Sequence, residues 1–593
     1  MRLFPLTALT ALSLSPLTLT FTTAAISEKL WHELGRGIGN ENLSDLAGYS
    51  VATSASGYTV AVGSPYHTSL IKSNPPKRAG RVRVYRYESS RDGWKQLGQD
   101  IEGVNVGDEF GTALHLNDDG DVLAVGYPYC SRDGKKECGC VDVYELTLMV
   151  GPEDEDRDVW FQVGVTVVGK DSLEHLGTSV HIEEVYDDEE DVDSYALAVG
   201  APGARVGGIP TGKVYFYDFE WEVGRKTLDW NPTGDITPTV PGGNPELNAR
   251  FSYSDFGASI SMTGNSQTIL VGAPKYGDND EGIVLLYNQI KVSGTIEWDE
   301  VQDFEVTNPQ SSYEYNCGSA VSIDWSGNYV AYGCPGSASD PSNTSESLFQ
   351  AGCVHTYMKA PTTGNVWELK DVVYGEGEGD RAGSAVRLSK LDDGHIFMAV
   401  GAPKNSPLAD FDNTGKDVQE AGHVRVYFSK AGIEPWEQAG LDVDGLSADD
   451  HYGSSVAISN KGHILAAGAP DGGYAKVYLL DYTAPPTPGP TVGSGSNGGG
   501  SGGGGGSGSG SGSLDKDFQR SSTSVWFVFF ISIFAIGTIF ALFLAGKKMR
   551  ERGSGSFTNV STQDRDMGMM SSGTEMVANP GVVSSTGETR DII

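Results

Sequence analysis

Phe256-Gly257-Ala258-Ser259-Ile260, followed a few residues later by Leu270-Val271-Gly272-Ala273-Pro274, is the stretch that decides the fold of this chain. Both halves recur, with substitutions, in seven repeats. The first-half glycines are Gly48, Gly111, Gly177, Gly257, Gly318, Gly383 and Gly453. Their spacing ranges from 61 residues (257 to 318) to 80 residues (177 to 257). Self-similarity at such a period predicts a repeat architecture.

Three further features complete the repeat. The second-half glycines are Gly63, Gly126, Gly200, Gly272, Gly333, Gly401 and Gly468. A Gly-x-Val-x-Val-Tyr pattern with substitutions occupies 80–85, 139–144, 212–217 and 422–427. A further short segment recurs with tryptophan as its first residue, and its copies begin at Trp31, Trp94, Trp160 and Trp436. Alternating β-branched and aromatic residues indicate half-buried strands, so each repeat predicts four strands, numbered 1 to 4 in this order.

Four strands repeated radially predict an all-β fold, a seven-bladed β-propeller. The last repeat ends after Lys476-Val477-Tyr478 without a tryptophan strand, whereas the first repeat is preceded by an extra one at Trp31. We therefore expect the N-terminal strand to complete the last blade and close the ring. The propeller is predicted to span 26–482.

The Phe-Gly and Gly-Ala-Pro pairing resembles the FG-GAP repeat of integrin α-subunit propellers and related proteins. The resemblance covers the predicted propeller and implies use in adhesion or recognition, without identifying a ligand. The integrin leg domains are absent. The juxtamembrane stretch Gly546-Lys547-Lys548-Met549-Arg550 also differs from the Gly-Phe-Phe-Lys-Arg of integrin α tails.

Four other segments predict how the propeller is displayed. Residues 1–25 are typical of a secretory signal peptide, and 483–524 of a Pro-rich, then Gly/Ser-rich flexible linker. Residues 525–545 are long and apolar enough for one transmembrane helix, and basic residues follow at once. Residues 546–593 are expected to be a disordered cytoplasmic tail. We thus predict a single-pass type I protein of the cell membrane with an extracellular N-terminus.

Partners are suggested by charge and by the transmembrane segment. The formal net charge is −36, and the tail is neutral, so the acidity lies in the secreted part. Such a surface repels nucleic acid, which we exclude as a partner; it suits cations, basic partners or simple solubility. Gly537, Ala541 and Ala545 lie on one helix face, a small-xxx-small pattern that predicts a homodimer, although small residues also occur there by chance.

Calcium is the cofactor that the resemblance implies, because integrin propellers bind it in their 1–2 hairpins. The candidates are Asp119 and Asp121 in the second repeat, and Asp410, Asp412 and Asp417 in a loop between strands 2 and 3. Calcium requires six to eight oxygen ligands, and neither site keeps a complete ligand spacing. A tight Asp-Gly turn and a solvated polar loop are the alternatives.

The six cysteines of a secreted domain predict disulfides. Loop positions favour Cys334–Cys353 and Cys130–Cys140, with Cys138 competing for the second bond. We expect no metal at either cysteine group, because no histidine stands at a suitable spacing. Asn42 and Asn343 begin Asn-x-Ser/Thr sequences and are predicted glycosylation sites.

No metalloprotease, serine-hydrolase or phosphate-loop motif occurs, so we expect no enzymatic activity. Histidines such as His115 and His423 are expected on strand surfaces. The predicted function is adhesion or recognition of an extracellular protein or glycan. The binding face is the one formed by the 2–3 and 4–1 loops, whose longest members are 66–79, 129–137, 336–351 and 404–421.

Two alternatives remain: an enzyme with its site in the propeller loops, acting on surface glycans, and a structural cell-surface or wall protein. A clustered, buried pair of carboxylates in the central cavity would favour the enzyme. A broad loop face without such a pair would favour binding.

Overall fold

In the computed structural model the chain divides into two units, Met1–Thr487 and Pro488–Ile593. The structure describes residues 31–39, 42–68, 77–90, 93–149, 157–187, 192–220, 229–238, 250–292, 295–305, 314–338, 348–360, 366–391, 393–407, 418–430 and 434–480. No helix among them is long and apolar enough to span a membrane. The predicted signal peptide, linker, transmembrane helix and tail lie outside the described residues, as do Gly537, Ala541 and Ala545.

The described residues form seven antiparallel sheets, one per repeat; five have four strands, and those of blades 1 and 6 have a short fifth strand paired with strand 3. Blade 1 comprises Ser50–Thr53, Thr59–Ser64, Arg81–Glu88 and Gly93–Gln96. Blade 2 comprises Ala113–Leu116, Val122–Tyr127, Cys140–Met149 and Arg157–Val168. Blade 3 comprises Ser179–Asp187, Val192–Ala201, Lys213–Glu220 and Asn231–Ile236. Blade 4 comprises Ser259–Met262, Thr268–Ala273, Ile283–Val292 and Thr295–Glu305.

The remaining blades follow the same order. Blade 5 comprises Ala320–Ile323, Tyr329–Cys334, Cys353–Lys359 and Trp367–Tyr374. Blade 6 comprises Ala385–Lys390, Ile396–Ala402, His423–Ser429 and Glu437–Gln438. Blade 7 comprises Ser455–Ile458, Ile464–Ala469, Tyr474–Leu480 and Trp31–Glu33. Short extra elements are Ile101–Glu102, Arg205–Val206, Ile209–Pro210, Val443–Asp444 and the 3₁₀ helix Leu43–Asp45.

The N-terminal strand closes the ring, as predicted. Trp31 pairs with Leu480 and Glu33 with Tyr478, in antiparallel register. Strand 1 of each blade contacts strand 1 of the next, and strand 1 of blade 7 contacts that of blade 1. The chain is therefore a seven-bladed propeller whose last blade contains both the first and the last described strand.

The two glycines recur in every repeat because the blades pack too closely there for a side chain. A Cβ atom on Gly126 would lie 2.1 Å from the carbonyl oxygen of Gly177 in the next blade. At all seven interfaces the corresponding distance is between 1.8 and 2.2 Å. No side chain fits there, so strand 2 of one blade packs directly on the start of strand 1 of the next.

The tryptophan segments also connect neighbouring blades, each indole donating to a backbone carbonyl of the preceding blade. The indole nitrogen of Trp160 donates to the carbonyl of Leu97 in the preceding blade at 2.8 Å. Trp94 donates to Leu34 at 2.7 Å, and Trp31 donates to Ala439 of blade 6 at 2.7 Å. The N-terminal strand thus uses the same inter-blade contact as the strands that stand in sequence order.

The hydrophobic core is divided among the blade interfaces. Seven clusters of buried apolar side chains are present in the described residues, and each draws on two neighbouring blades. Since a blade's own sheet has apolar side chains on both faces, no blade can bury them without both neighbours. This arrangement makes closure of the ring a condition for stability.

One of the two disulfide predictions is wrong. Cys130–Cys140 forms as expected, but Cys334 is bonded to Cys317 rather than Cys353. Cys317 occupies the phenylalanine position of the first half-motif, and the fold places its Cα 4.0 Å from that of Cys334. Cys138 and Cys353 are buried free thiols.

The expectation that no histidine accompanies the cysteines is also wrong. His355 follows Cys353 by two residues on the same strand, so both side chains share one face. The ligand atoms of Cys334, Cys353 and His355 lie within 4.8 Å of one another. The disulfide nevertheless occupies the sulfur of Cys334, which leaves two ligands.

We predict that Gly126→Ala destabilises the propeller by about 1–3 kcal/mol, because its Cβ would overlap the Gly177 carbonyl. Gly234→Ala is the matched control: Gly234 also lies in a strand, and nothing lies within 4 Å of the added Cβ. Chemical denaturation of both variants measures the effect. Equal stabilities for the two variants would contradict the packing argument.

A second prediction tests ring closure. Trp31→Phe removes the hydrogen bond to Ala439 and should reduce the free energy of unfolding by about 1 kcal/mol. Trp94→Phe removes the equivalent bond to Leu34 and should cost a similar amount, because both strands belong to one cooperative ring. A normal melting temperature for Trp31→Phe beside a lowered one for Trp94→Phe would show that the N-terminal strand is dispensable.

Candidate functional site in the central channel

A cavity of about 310 Å³ lies where the strands 1 of all seven blades meet. The residues four positions after each first-half glycine are equivalent, and in blade order they are Ala52, His115, His181, Ser261, Ser322, Arg387 and Ala457. Three blades therefore place an ionisable side chain where the other four have alanine or serine. These three residues are the centre of the candidate site.

The serines at this position show that its side chain can accept a hydrogen bond from the next blade. Ser261 accepts a hydrogen bond from the backbone amide of Ile323 in the next blade at 3.1 Å, and Ser322 accepts one from Leu388 at 2.9 Å. His115 accepts the equivalent bond through Nδ1, from the Ile182 amide at 3.3 Å. One imidazole nitrogen therefore serves the contact between blades.

This bond defines the tautomer of His115. Burial, together with neighbouring His181 and Arg387, holds its pKa well below the usual value, so the ring is neutral. A neutral imidazole carries one proton, so His115 can accept from Ile182 through Nδ1 or from Arg387 through Nε2, but not both. We assign the acceptor to Nδ1, because Ser261 and Ser322 accept the same inter-blade bond at their positions. The proton is therefore on Nε2, which faces the channel.

Arg387 reaches His115 from the other side of the channel. Blade 6 is three blades away from blade 2 in one direction and four in the other, yet Nη2 of Arg387 lies 3.3 Å from Nε2 of His115. Within the described residues, the guanidinium forms no ion pair. Burial lowers the pKa of Arg387, while Glu183 and Asp118 act in the opposite direction.

His181 stacks close to His115, with ring centroids 3.8 Å apart. Burial, and then Arg387, holds the pKa of His181 well below its usual value. Its Nε2 lies 2.9 Å from Oε1 of Glu183, to which it donates when the ring is neutral. Its Nδ1 is then a bare acceptor, and it is buried without a hydrogen-bond partner.

Two carboxylates line the same cavity, Glu183 and Asp118. Burial raises the pKa of Glu183 to about 7, against the opposing influence of Arg387. Burial and then Glu183 raise the pKa of Asp118, whose Oδ1 accepts from Asn460 at 3.2 Å. At neutral pH the cluster therefore combines a cationic guanidinium, two neutral imidazoles and a carboxyl group close to its midpoint.

A metal ion fits this cluster poorly. The ligand atoms of His115, His181 and Glu183 do lie within 4.8 Å of one another. However, a metal on Nε2 of His115 would need the proton on Nδ1, which would break the bond from Ile182. It would also stand beside the positive charge of Arg387. The donors that face the channel suit an anion better than a cation.

The predicted calcium residues lie elsewhere. In the 1–2 turn of blade 2, Asn117 accepts from the amides of Gly120, Asp121 and Val122 and donates to the Asp121 carboxylate at 2.8 Å. Burial, and then Asp121 and Asp118, raise the pKa of Asp119. The turn is thus stabilised internally, as in the tight-turn alternative. Asp410, Asp412 and Asp417 lie outside the described residues, and calcium binding remains a prediction.

Of the glycosylation candidates, Asn42 is exposed. Its Oδ1 accepts from the backbone amide of Ser44, and its Nδ2 donates to Asp45. Asn343 lies outside the described residues. Glycosylation remains a prediction at both positions.

Sequence reasoning missed the channel cluster. The expectation that His115 and His423 lie on strand surfaces is wrong, because both are buried. His181, Glu183 and Arg387 received no role. Aligning the repeats on the first-half glycine would have revealed three ionisable residues at one equivalent position, but not that they meet.

The raised pKa of Glu183 predicts a pH-dependent stability. The folded protein retains the Glu183 proton up to about pH 7, whereas an unfolded chain loses it near 4.3. Between these values the folded state binds more protons, so this contribution to stability is lost as pH rises. Glu183→Gln, which still accepts from His181, should match wild type at pH 4 and exceed it by up to about 3 kcal/mol at pH 8.

Denaturation curves from pH 4 to pH 8 measure this difference. Glu437→Gln, at an exposed strand position, is the control for loss of one surface charge. A constant difference between Glu183→Gln and wild type across this range would contradict the raised pKa.

No family model and no curated protein matches this chain. The FG-GAP resemblance therefore rests on the repeats themselves. Among solved structures, the chain is similar to the periplasmic gluconolactonase PpgL of Pseudomonas aeruginosa, with 13% identity and a TM-score of 0.39 over 67% of this chain and 85% of that one. Likeness at this level does not bear on activity. The seven-bladed architecture is established by the strand pairing itself.

Proposed function

We propose that this protein is a single-pass type I cell-surface recognition protein that binds an extracellular protein or glycan through one face of its propeller. The observation that carries the proposal is the distribution of exposed apolar side chains. Strands alternate in direction, so the 2–3 and 4–1 loops share one face, named here the loop face. The 1–2 and 3–4 turns share the opposite face.

The loop face carries most of the exposed large apolar side chains found in connections. Every blade except the sixth contributes to this set within the described residues, namely Leu43, Tyr49, Val104, Val106, Tyr129, Leu173, Val206, Ile209, Tyr253, Phe349 and Leu446. On the described turns of the opposite face the exposed members are Tyr58, Trp325 and Val366. Exposed apolar side chains concentrated on one face are typical of an interaction surface.

The basic residues of the loop face are less available for binding. Arg78 pairs with Glu109 and lies over the ring of Tyr66. Lys136 pairs with Glu137 at 3.0 Å. The ligand would therefore be recognised chiefly through aromatic and aliphatic contacts, which dominate the centres of protein interfaces.

The direction of the last strand agrees with this use. Tyr474–Leu480 begins at the loop face and ends at the opposite face. The described chain therefore leaves the propeller at the face opposite the proposed binding face. Dimerisation through Gly537, Ala541 and Ala545 is a further part of this proposal and is supported by their spacing alone.

The channel cluster favours a second candidate function, an enzyme that acts on a surface glycan. Asp118 and Glu183 are the kind of carboxylate pair that such chemistry needs, and the pKa of Glu183 near 7 suits a general acid or base. Serine hydroxyls that line the cavity form hydrogen bonds between blades. Ser50 and Ser259, for example, donate to the carbonyls of Gly111 and Gly318 in the next blades. Asp118 is exposed, so the two carboxylates do not form a buried pair, and we rank recognition first.

The proposal predicts that charge on the loop face abolishes binding. Tyr253 and Leu446 are 67% and 61% exposed, so Tyr253→Asp with Leu446→Asp should leave folding intact. Burying unpaired carboxylates in an interface should weaken binding by tenfold or more. The measurement is adhesion of cells that display the full-length protein to a panel of matrix proteins, glycans and like cells.

Val366→Asp is the matched control, because Val366 is 49% exposed on the opposite face. It should bind like wild type at equal surface level. If it reduces adhesion as much as the loop-face pair does, or if neither variant reduces it, recognition does not occur through the loop face.

A further inference from the structure

Arg387 is the feature of the channel that neither recognition by the loop face nor the fold explains. Its side chain is half-buried and lines the central cavity. No carboxylate of the described residues is in ion-pair contact with it, although Glu183 and Asp118 line the same cavity and act on its pKa. Alanine or serine suffices at the equivalent position of four other blades. A guanidinium that faces a cavity without a direct carboxylate contact has N–H donors free for an anion supplied from outside.

His115 presents a second donor to the same point. Its proton lies on Nε2 because Nδ1 accepts from Ile182. Nε2 and the Arg387 Nη2 are 3.3 Å apart, and with the proton on Nε2 both atoms are donors. A carboxylate oxygen placed beside the two groups could accept from both, and guanidinium–carboxylate pairs are the strong form of this contact.

The neighbouring groups can bind hydroxyls. Nδ1 of His181 is an unpartnered acceptor on a side chain that is 2% exposed. Towards the loop face, the hydroxyls of Thr178, Ser384 and Ser454 line the cavity and donate to the carbonyls of His175, Arg381 and His451. Each keeps lone pairs that can accept from a ligand hydroxyl.

The donors of Arg387 and His115 and the hydroxyls nearer the loop face are separated by a distance that one small molecule can span. Ser384 directly precedes strand 1 of blade 6 and is three residues before Arg387, which corresponds to about 10 Å at 3.3 Å per residue. The cavity volume of about 310 Å³ is at the lower end of small-molecule sites. The site is therefore suited to one small molecule with an acidic end and a hydroxylated end.

We propose that the central channel binds a small hydroxycarboxylate of the uronic-acid type. Its carboxylate lies between Arg387 and His115, and its hydroxyls face His181 and the serine and threonine hydroxyls nearer the loop face. The ligand enters from the loop face, because the Arg387 side chain crosses the channel below it. This site is independent of the apolar residues on the loop face.

Isothermal titration calorimetry of the full-length protein in detergent tests the proposal, with D-glucuronate as probe and D-glucose as its neutral counterpart. Glucuronate should bind with one-to-one stoichiometry, and glucose should not bind. Arg387→Ala, the residue that blades 1 and 7 use at this position, should weaken glucuronate binding by about tenfold or more.

His115→Ser separates binding from structure. Serine at this position can keep the inter-blade hydrogen bond, as Ser261 and Ser322 do, but removes the Nε2 donor. It should weaken glucuronate binding by about three- to tenfold with little change in melting temperature. Lys95→Ala removes an exposed cation far from the channel and should bind like wild type.

Several results would overturn the proposal. They are equal binding of glucose and glucuronate, unchanged affinity of Arg387→Ala, and no heat from glucuronate in wild type. One-to-one binding of Zn²⁺ that His115→Ser abolishes, without glucuronate binding, would assign the cluster to a metal. If Arg387→Ala does not fold, Arg387→Lys replaces it, since lysine keeps the charge but loses the forked geometry and should also bind more weakly.

Discussion

The close approach of two glycines at every blade interface is the constraint on which the rest of this structure depends. The second-half glycine of one blade packs on the carbonyl of the first-half glycine in the next, and a Cβ at any of the seven interfaces would come within 2.2 Å of that oxygen. The two backbones can approach this closely only without a side chain. The contact fixes how neighbouring sheets stand against each other, and thereby brings all seven strands 1 around one narrow channel.

Stability follows from this geometry. The apolar core is divided into seven interface clusters, so each blade relies on both neighbours. The strand Trp31–Glu33 therefore does more than add one strand to blade 7. It supplies the last interface, through the same indole-to-carbonyl bond that Trp94 and Trp160 make. Without this strand, the last strand of blade 7 would have no partner on its outer side.

Because the blades pack so regularly, a residue that differs from its equivalents in the other repeats indicates a role beyond packing. The position four residues after the first-half glycine needs only a small residue, or an acceptor for the next blade's amide, as Ser261 and Ser322 show. His115 meets that requirement and has a second nitrogen facing the channel, whereas the longer Arg387 side chain reaches across the channel to that nitrogen. Residues that exceed what folding requires are expected at functional sites. A chain of net charge −36 that places a guanidinium at the centre of its ring is consistent with capture of an anion there.

The sequence by itself determined the all-β class, the number of blades, the strand order and the closure by the N-terminal strand, because these follow from local periodicity and from motifs repeated in order. It also predicted Cys130–Cys140, whose partners stand in one loop. Only the tertiary structure decided that Cys334 pairs with Cys317, since the two belong to different elements that inter-strand packing brings together. Likewise, His115 and Arg387 are 272 residues apart in sequence and meet across the channel only because the ring closes. Contacts between distant repeats depend on the global curvature of the ring, which no local pattern in the chain encodes.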